Sequence, residues 1–191
     1  MRPVRSLGPR TRGRSEAAGL VEVEVGDSTP TPERRTHVLA NGDRVTYEHH
    51  EGTIPIADVV HAPSYKDNCS HCPTRGTNFA CPPHSPTFEE FASGVEHLRV
   101  ICVRMPVARP DAVGDAFGEA RRLLRAELDE WRTRGVRILG SGECVACETC
   151  AATGGGDACV DPDARTYSLE SLGVNVSALV QTALGLRLEW E

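Results

Sequence analysis

Residues 142–163 have the sequence GECVACETCAATGGGDACVDPD, and this stretch decides how the chain can fold. Its four thiols are Cys144, Cys147, Cys150 and Cys159. The first three are separated by two residues each, and the fourth follows a glycine-rich gap. The stretch, called here the second cysteine loop, shows almost no helix or strand pattern. Because it offers little apolar surface to bury, we expect a bound metal to hold it together.

Residues 69–84, CSHCPTRGTNFACPPH, form a shorter cluster that is called here the first cysteine loop. It contributes Cys69, Cys72 and Cys81, so the two loops hold seven of the eight cysteines. The eighth, Cys102, lies in a predicted strand and is interpreted as a buried thiol that packs like a small hydrophobic residue.

Composition places the chain in a reducing compartment. No apolar run approaches the roughly 18 residues of a membrane span, and no signal-peptide core is present. We therefore predict a cytoplasmic protein without membrane contact, in which CxxC spacing indicates metal ligands rather than a disulfide scaffold.

The net charge is −6, although five arginines lie among the first fourteen residues. An acidic body argues against nucleic acid as a partner, because binding phosphates requires clustered cations.

At 191 residues with 39% hydrophobic content, the chain is long enough for one domain with a true core. We predict a disordered tail rich in Arg, Pro and Ser over residues 1–35 and a single metal-binding domain over residues 36–191. The predicted fold class is an α+β, or α/β, sandwich, in which one long amphipathic helix packs on a small sheet. Both cysteine loops are expected at one end of that sheet.

Local patterns predict the elements before the long helix. Asn41-Gly42 indicates a β-hairpin over residues 37–47, because both residues tolerate the positive φ of a primed turn. Pro55 places residues 53–60 at a sheet edge or makes them irregular. Thr87 and Glu90 fit a capping box that begins a short helix over residues 88–94. Residues 98–105 alternate like a half-buried strand.

Periodicity predicts a long helix over residues 111–134. One stripe is expected to face the sheet, and it consists of Val113, Phe117, Ala120, Leu124, Leu128 and Trp131. The opposite face is expected to be solvated, and it carries Glu119, Arg122, Arg125, Glu127, Asp129 and Arg132. Short strands are predicted over residues 136–139 and 186–190, and short helices over residues 167–172 and 177–184.

Thiolates are soft ligands, which favours zinc, copper(I) or iron-sulfur clusters over magnesium or calcium. Structural zinc usually takes two separated pairs of ligands, whereas successive two-residue gaps let each thiolate reach a different iron of a 4Fe-4S cluster. We predict such a cluster in the second cysteine loop, with zinc as the alternative. Cys159 is the natural fourth ligand, although it could serve the first cysteine loop instead.

The first cysteine loop has only three thiols for a second cluster. The candidates for a fourth ligand are His84, His71 and His61. If none of them binds, one iron keeps an open position, which is where a substrate binds in catalytic metal sites. Lys66, Arg75, His84 and Arg165 could then hold an anionic substrate.

Taken together, the two motifs resemble a bacterial and archaeal family of cysteine-rich predicted metal-binding proteins of unknown function. Its members combine a CxxC…CPP loop with a CxxCxxC…C…P loop and a following Gly-hydrophobic-Asn/Asp-Val turn. The matching features here are Cys81-Pro82-Pro83, Pro162 after Cys159, and SLESLGVNV over residues 168–176. The resemblance covers roughly residues 55–185. It implies metal binding, of the iron-sulfur type, and no particular activity.

The chain departs from that family at two places. RGTNF at residues 75–79 stands where an aromatic-glycine pair is usual, and Arg165-Thr166-Tyr167 stands where Arg-Pro-Ser is expected. Neither change removes a ligand. Three functions stay open: an electron carrier with a redox partner, an enzyme whose open iron acts on a small molecule in redox or sulfur chemistry, and a structural zinc module.

Overall fold

In the computed structural model, which describes residues 31–39, 42–107 and 112–188, helices and small sheets combine into an α+β fold. A three-stranded antiparallel sheet has the order β1-β2-β3, with β1 Glu33–Val38, β2 Arg44–Pro55 and β3 His97–Arg104. A two-stranded parallel pair joins β4 Leu139–Gly140 to β5 Tyr167–Ser168. The α-helices are α1 Phe88–Ala92, α2 Val113–Arg132 and α3 Val176–Leu184. The predicted fold class is confirmed.

The predicted hairpin is present and longer than expected. Val38 pairs with Arg44, and the turn is closed by Gly42 N, which donates to Leu39 O at 2.9 Å. Gly42 has φ +90°, a conformation that glycine adopts without strain. β1 begins at Glu33, inside the segment predicted to be disordered. Residues 1–30 of that segment lie outside the described residues.

β2 ends at Pro55, and the last part of this strand has a neighbouring strand on one side only. β2 pairs with β3 as far as Pro55, but β1 reaches only to His49. The edge position predicted from Pro55 is therefore correct for the end of β2. α3 covers this stretch closely, because a Cβ on Gly52 would overlap the backbone oxygen of Ala183.

The core lies where α1 and α3 meet β2 and β3. Its most deeply buried apolar side chains are Phe88, Leu179, Leu184, Val174 and Leu172. Burying each contributes about 1.5–3 kcal/mol relative to leaving it exposed. The predicted capping box is confirmed, because Thr87 Oγ1 accepts from Glu90 N at 3.2 Å while Glu90 Oε2 accepts from Thr87 N at 2.7 Å.

The long helix is attached to the sheet less by apolar packing than its pattern predicts. α2 has no fully buried residue, and Val113 and Phe117 are 53% and 57% exposed. A polar contact joins the layers instead, because Glu127 lies 2.8 Å from the buried ring of His49. The prediction of a solvated outer face is therefore wrong for Glu127, and also for Arg132, which contacts the end of the second cysteine loop.

The C-terminal elements differ from their predictions because they pair with distant segments. The strand expected over residues 136–139 is shifted to β4, and its partner β5 replaces the start of the predicted helix over residues 167–172. A 3-10 turn, Glu170–Leu172, follows, and α3 confirms the next predicted helix. Residues 186–188 are not a strand, and residues 189–191 lie outside the described chain. None of the helices in the described ranges has the length and apolar character required to cross a membrane.

Candidate metal centre

The first cysteine loop is folded by its own backbone contacts. A 3-10 helix, Pro63–His71, carries Cys69, and Cys72 N donates to Cys69 O at 3.1 Å. Gly76 N then donates to Pro82 O at 2.9 Å, which closes the loop on itself. Residues 78–82 are all buried. This loop thus contains a small core of its own.

Lys66, predicted as a possible anion ligand, links the 3-10 helix to the residues that follow the first cysteine loop. Its Nζ donates to the backbone oxygens of Ser85 at 3.2 Å and Pro86 at 2.7 Å. Ser85 Oγ in turn donates to Ser171 O at 2.6 Å, which anchors the loop to the turn before α3. The ammonium group therefore has two structural partners.

The three thiols of the first cysteine loop lie within range of one another's charge. The Thr74 hydroxyl lies 3.2 Å from Cys72 Sγ and 3.5 Å from Cys81 Sγ. Burial raises the pKa of the Cys69 and Cys81 thiols, and the nearby Cys72 charge raises both further. A thiolate cluster that repels itself in this way is stabilised by a bound cation.

The second cysteine loop rests on the first. No residue from 142 to 167 is buried, so the loop depends on polar contacts for its position. Asn78 Nδ2 donates to Cys144 O at 3.1 Å, and Thr153 Oγ1 donates to Thr77 O at 3.0 Å. At the far end, Arg132 Nη1 donates to Ala164 O at 2.5 Å.

Backbone amides approach the sulfurs of the second cysteine loop from outside it. Phe79 N donates to Cys150 Sγ at 3.4 Å, and Thr166 N donates to Cys144 Sγ at 3.5 Å. Such N–H···S bonds stabilise thiolate charge and tune cluster potentials. Both sulfurs therefore have a donor suited to the thiolate form.

The thiols of the second cysteine loop form one electrostatic group that includes Cys159. Burial raises the pKa of the Cys147 thiol, and the charges of Cys159, Cys144 and Cys150 raise it further, in that order. Gly155, at φ +76°, supplies the turn between the third and fourth cysteines. The charge of Cys159 thus reaches Cys147 of the same loop, and the assignment of Cys159 as the fourth ligand stays a prediction.

A thiol of each loop also lies within electrostatic range of the other loop. The charge of Cys144 contributes to the raised pKa of Cys81, after burial and the charges of Cys72 and Glu143. In the described ranges, no three His, Cys, Asp or Glu side chains converge tightly enough to hold a metal ion as they stand. The donor set itself suits a soft metal, because it consists of clustered thiols that receive N–H and O–H donors.

The three histidines proposed as a fourth ligand have different surroundings. His61 Nδ1 lies 3.2 Å from Glu89 Oε1, and its ring packs on Phe88 at 5.0 Å. His84 is exposed with its ring 4.9 Å from that of Phe79, and His71 is exposed between the first two cysteines. Sequence reasoning missed Glu170, whose charge also raises the pKa of Cys69.

The two predicted arginines lie on opposite loops. Arg75 is exposed, and its charge partly offsets the rise that burial causes in the pKa of Cys69. Arg165 stacks over the Tyr167 ring at 4.9 Å. Burial raises the pKa of Tyr167, and the charges of Cys159 and Cys144 add to that rise, so this phenol lies beside the second group of thiols. The sequence did not point to Tyr167, because its local pattern predicts a helix at this position.

Cys102 is separate from both groups. It lies in β3 opposite His50, and burial raises the pKa of its thiol. Its side chain packs against the core and is partly rather than fully buried.

Residues 52–191 match the family described as predicted metal-binding protein (DUF2284). The chain belongs to this family, as its two cysteine motifs suggested. It is thus a cysteine-rich member of a predicted metal-binding family whose function is unknown. A search of curated proteins and a search of solved structures each found no significant match.

Proposed function

We propose that the chain is an iron-sulfur protein with two neighbouring centres. In this proposal Cys144, Cys147, Cys150 and Cys159 fully ligate a 4Fe-4S cluster, and Cys69, Cys72 and Cys81 hold a second cluster that keeps one iron open. The observation that carries the proposal is the grouping of four thiols around Cys147, with backbone donors directed at two of the sulfurs. Successive two-residue gaps favour a cluster over a single ion.

A cluster would supply one-electron transfer, and an open iron would supply a Lewis acid. The chain's own contribution is to support the thiolates. Phe79 N and Thr166 N donate to thiolate sulfurs of the second centre, and the Thr74 hydroxyl lies between two sulfurs of the first. Because the loops touch through Asn78, electrons could pass between the centres. The open first centre is where we propose redox or sulfur-related chemistry on a small molecule, with a cytoplasmic redox partner.

Structural zinc is the second candidate, and the first cysteine loop supports it. The turn in which Cys72 N donates to Cys69 O brings a CxxC pair together, as zinc ligands often are. Cys81 and Cys144 lie within electrostatic range of each other and could complete a shared site. Such a site would serve stability rather than chemistry.

Metal analysis of anaerobically purified protein tests the proposal. We expect about eight irons and about eight labile sulfides per chain for two clusters. Cys150→Ser should remove about half of the iron, and Cys81→Ser should also lower it, because each deletes one ligand of one centre. Cys102→Ser is the matched control and should leave the iron content unchanged. Stoichiometric zinc without labile sulfide would contradict both cluster assignments.

The open position has a separate test. If the first centre keeps an open iron, adding a small thiol should change the EPR spectrum of the wild type. The change should vanish in Cys81→Ser and persist in Cys150→Ser. Two clusters whose spectra do not respond to small ligands would instead indicate electron transfer alone.

A further inference from the structure

A second feature lies beside the second cysteine loop, between that loop and α2. It is a cavity of about 360 Å³, within the size range of small-molecule sites. α2 contributes Arg121, Arg125 and Arg132 to its wall, and the opposite wall includes Glu143 and Cys144. The cavity therefore combines three cations with one of the proposed metal ligands.

The three cations of the cavity differ in their partners. Arg121 Nη2 lies 3.8 Å from Glu143 Oε1, and Arg132 Nε lies 3.6 Å from Asp129 Oδ1. Arg125 has no ion pair or hydrogen bond with any residue that the structure describes. Three guanidinium groups thus face two carboxylates and the sulfur of Cys144, and Arg125 is the cation without a partner among the described residues.

Several nitrogens of these arginines are also without a hydrogen-bond partner. The Nε and Nη2 atoms of Arg121 and the Nε atom of Arg132 are buried without a hydrogen-bond acceptor in the described chain. A buried donor without a partner costs about 1–3 kcal/mol. The other nitrogens of Arg132 donate to Ala164 O and Thr166 Oγ1, both at 2.5 Å, which fixes its guanidinium plane.

The loop backbone is shaped to admit Arg121. A Cβ on Gly142 would overlap the Arg121 guanidinium group, and Gly142 has φ +74°, which disfavours any other residue. The guanidinium can lie against the loop only because this position has no side chain.

We propose that this cavity binds a small anion through carboxylate or oxyanion oxygens, held by Arg121, Arg125 and Arg132 next to Cys144. Guanidinium groups pair with such oxygens in a bidentate way that is both strong and directional. The inference rests on the proposed function only in that the second cysteine loop must be ordered by its metal. It adds a site beside the second cysteine loop to the anion site expected at the open iron of the first, for which Lys66, Arg75, His84 and Arg165 are the candidates.

Calorimetric titration of the anaerobically purified, metal-loaded protein tests this proposal. Inorganic phosphate, sulfate and acetate are added at constant ionic strength, with chloride as the background ion. We expect saturable binding of at least one of them, weakened at least ~10-fold by Arg125→Gln, because that side chain has no structural contact to lose. Arg122→Gln is the matched control, since Arg122 carries the same charge on the same helix but pairs with Glu119. It should change affinity less than ~2-fold.

A second variant acts in the opposite direction. Asp129→Asn removes a carboxylate from beside Arg132 and should tighten binding by ~2-fold to ~5-fold, which loss of folding cannot mimic. The proposal is overturned if no anion saturates below ~10 mM, or if Arg122→Gln weakens binding as much as Arg125→Gln. Iron and zinc are measured on each sample. If the protein contains zinc and binds an anion, the anion site is supported and the iron-sulfur assignment is contradicted. If the clusters are intact and no anion binds, the iron-sulfur assignment is supported and the anion site is contradicted.

Discussion

The first cysteine loop contains a buried run over residues 78–82, whereas the second has no buried residue between 142 and 167. The first is fixed by burial, by Lys66 and by backbone turns, and it forms the surface on which the second is placed. The second is held by Asn78, Thr153 and Arg132 through individual hydrogen bonds. We infer that the first loop can persist without metal and that the second needs its metal to stay ordered.

Metal removal should produce the largest difference in behaviour between the two loops. When metal is extracted by a chelator under anaerobic conditions, amide exchange over residues 142–166 should accelerate at least ~10-fold, because no buried side chains resist its opening. Exchange over residues 78–82 should change much less. Hydrogen exchange read by mass spectrometry measures both segments in one sample. Equal acceleration in both loops would contradict the comparison.

Asn78→Ala should break the contact between the loops. The buried Asn78 amide donates to Cys144 O and accepts from Ala80 N at 2.9 Å, so its loss leaves two backbone groups without a partner. We expect a loss of about 2 kcal/mol in the free energy of unfolding, together with lower metal content of the second loop. Thr153→Ala removes one exposed contact between the same loops and should cost at most about 0.5 kcal/mol. Urea unfolding and metal analysis measure the two effects, and equal losses would refute the bridging role of Asn78.

Lys66→Met should affect the first loop alone. Its two hydrogen bonds to Ser85 O and Pro86 O would be lost, but water can reach the half-buried site, so we expect a cost of about 1 kcal/mol. The thiols of the second loop should keep their metal. Urea unfolding gives the stability and metal analysis gives the occupancy. If Lys66→Met instead removed metal from the second loop without changing stability, Lys66 would contribute directly to the metal centre of that loop, and the prediction would be wrong.

The smallest expected effect is on the pH dependence of the metal-free protein. Burial raises the pKa of Cys69 and Cys81 in the folded state above the unfolded value of about 8.5. The folded state then keeps these protons longer, so its stability is fully present below about pH 8.5 and falls as pH rises through the folded pKa values. Urea unfolding between about pH 7 and pH 10 should show this fall, and Cys81→Ser should reduce it. A metal-free protein that gains stability over this range would contradict the assignment.

The features that the sequence predicts well are those set by interactions between residues close together in the chain. The Asn41-Gly42 turn, the Thr87–Glu90 capping box and the spacing of the cysteines each depend on residues a few positions apart. The hairpin and α1 agree with those predictions, and the ligand assignment of Cys159 stays a prediction.

The remaining features depend on contacts between distant residues. Helical periodicity identifies the apolar side of α2, but it cannot show that Glu127 meets His49 or that Arg132 meets Ala164. The sequence around Tyr167 has a helical pattern, but Tyr167 lies in a strand because it pairs with Leu139. Periodicity likewise assigns Arg125 and Arg132 of the cavity to the solvated face, because nothing near them in sequence reveals the loop that covers them.

The pairing of β4 with β5 also has an architectural consequence. Leu139 faces Tyr167 and Gly140 faces Ser168, so the chain departs for the second cysteine loop and returns beside its point of departure. Topologically, residues 141–166 are an insertion in a domain whose core is formed by other segments. An insertion with closed ends can vary in length and ligand number without altering the path of the surrounding chain. The metal-binding capacity of this fold can therefore diversify independently of its framework.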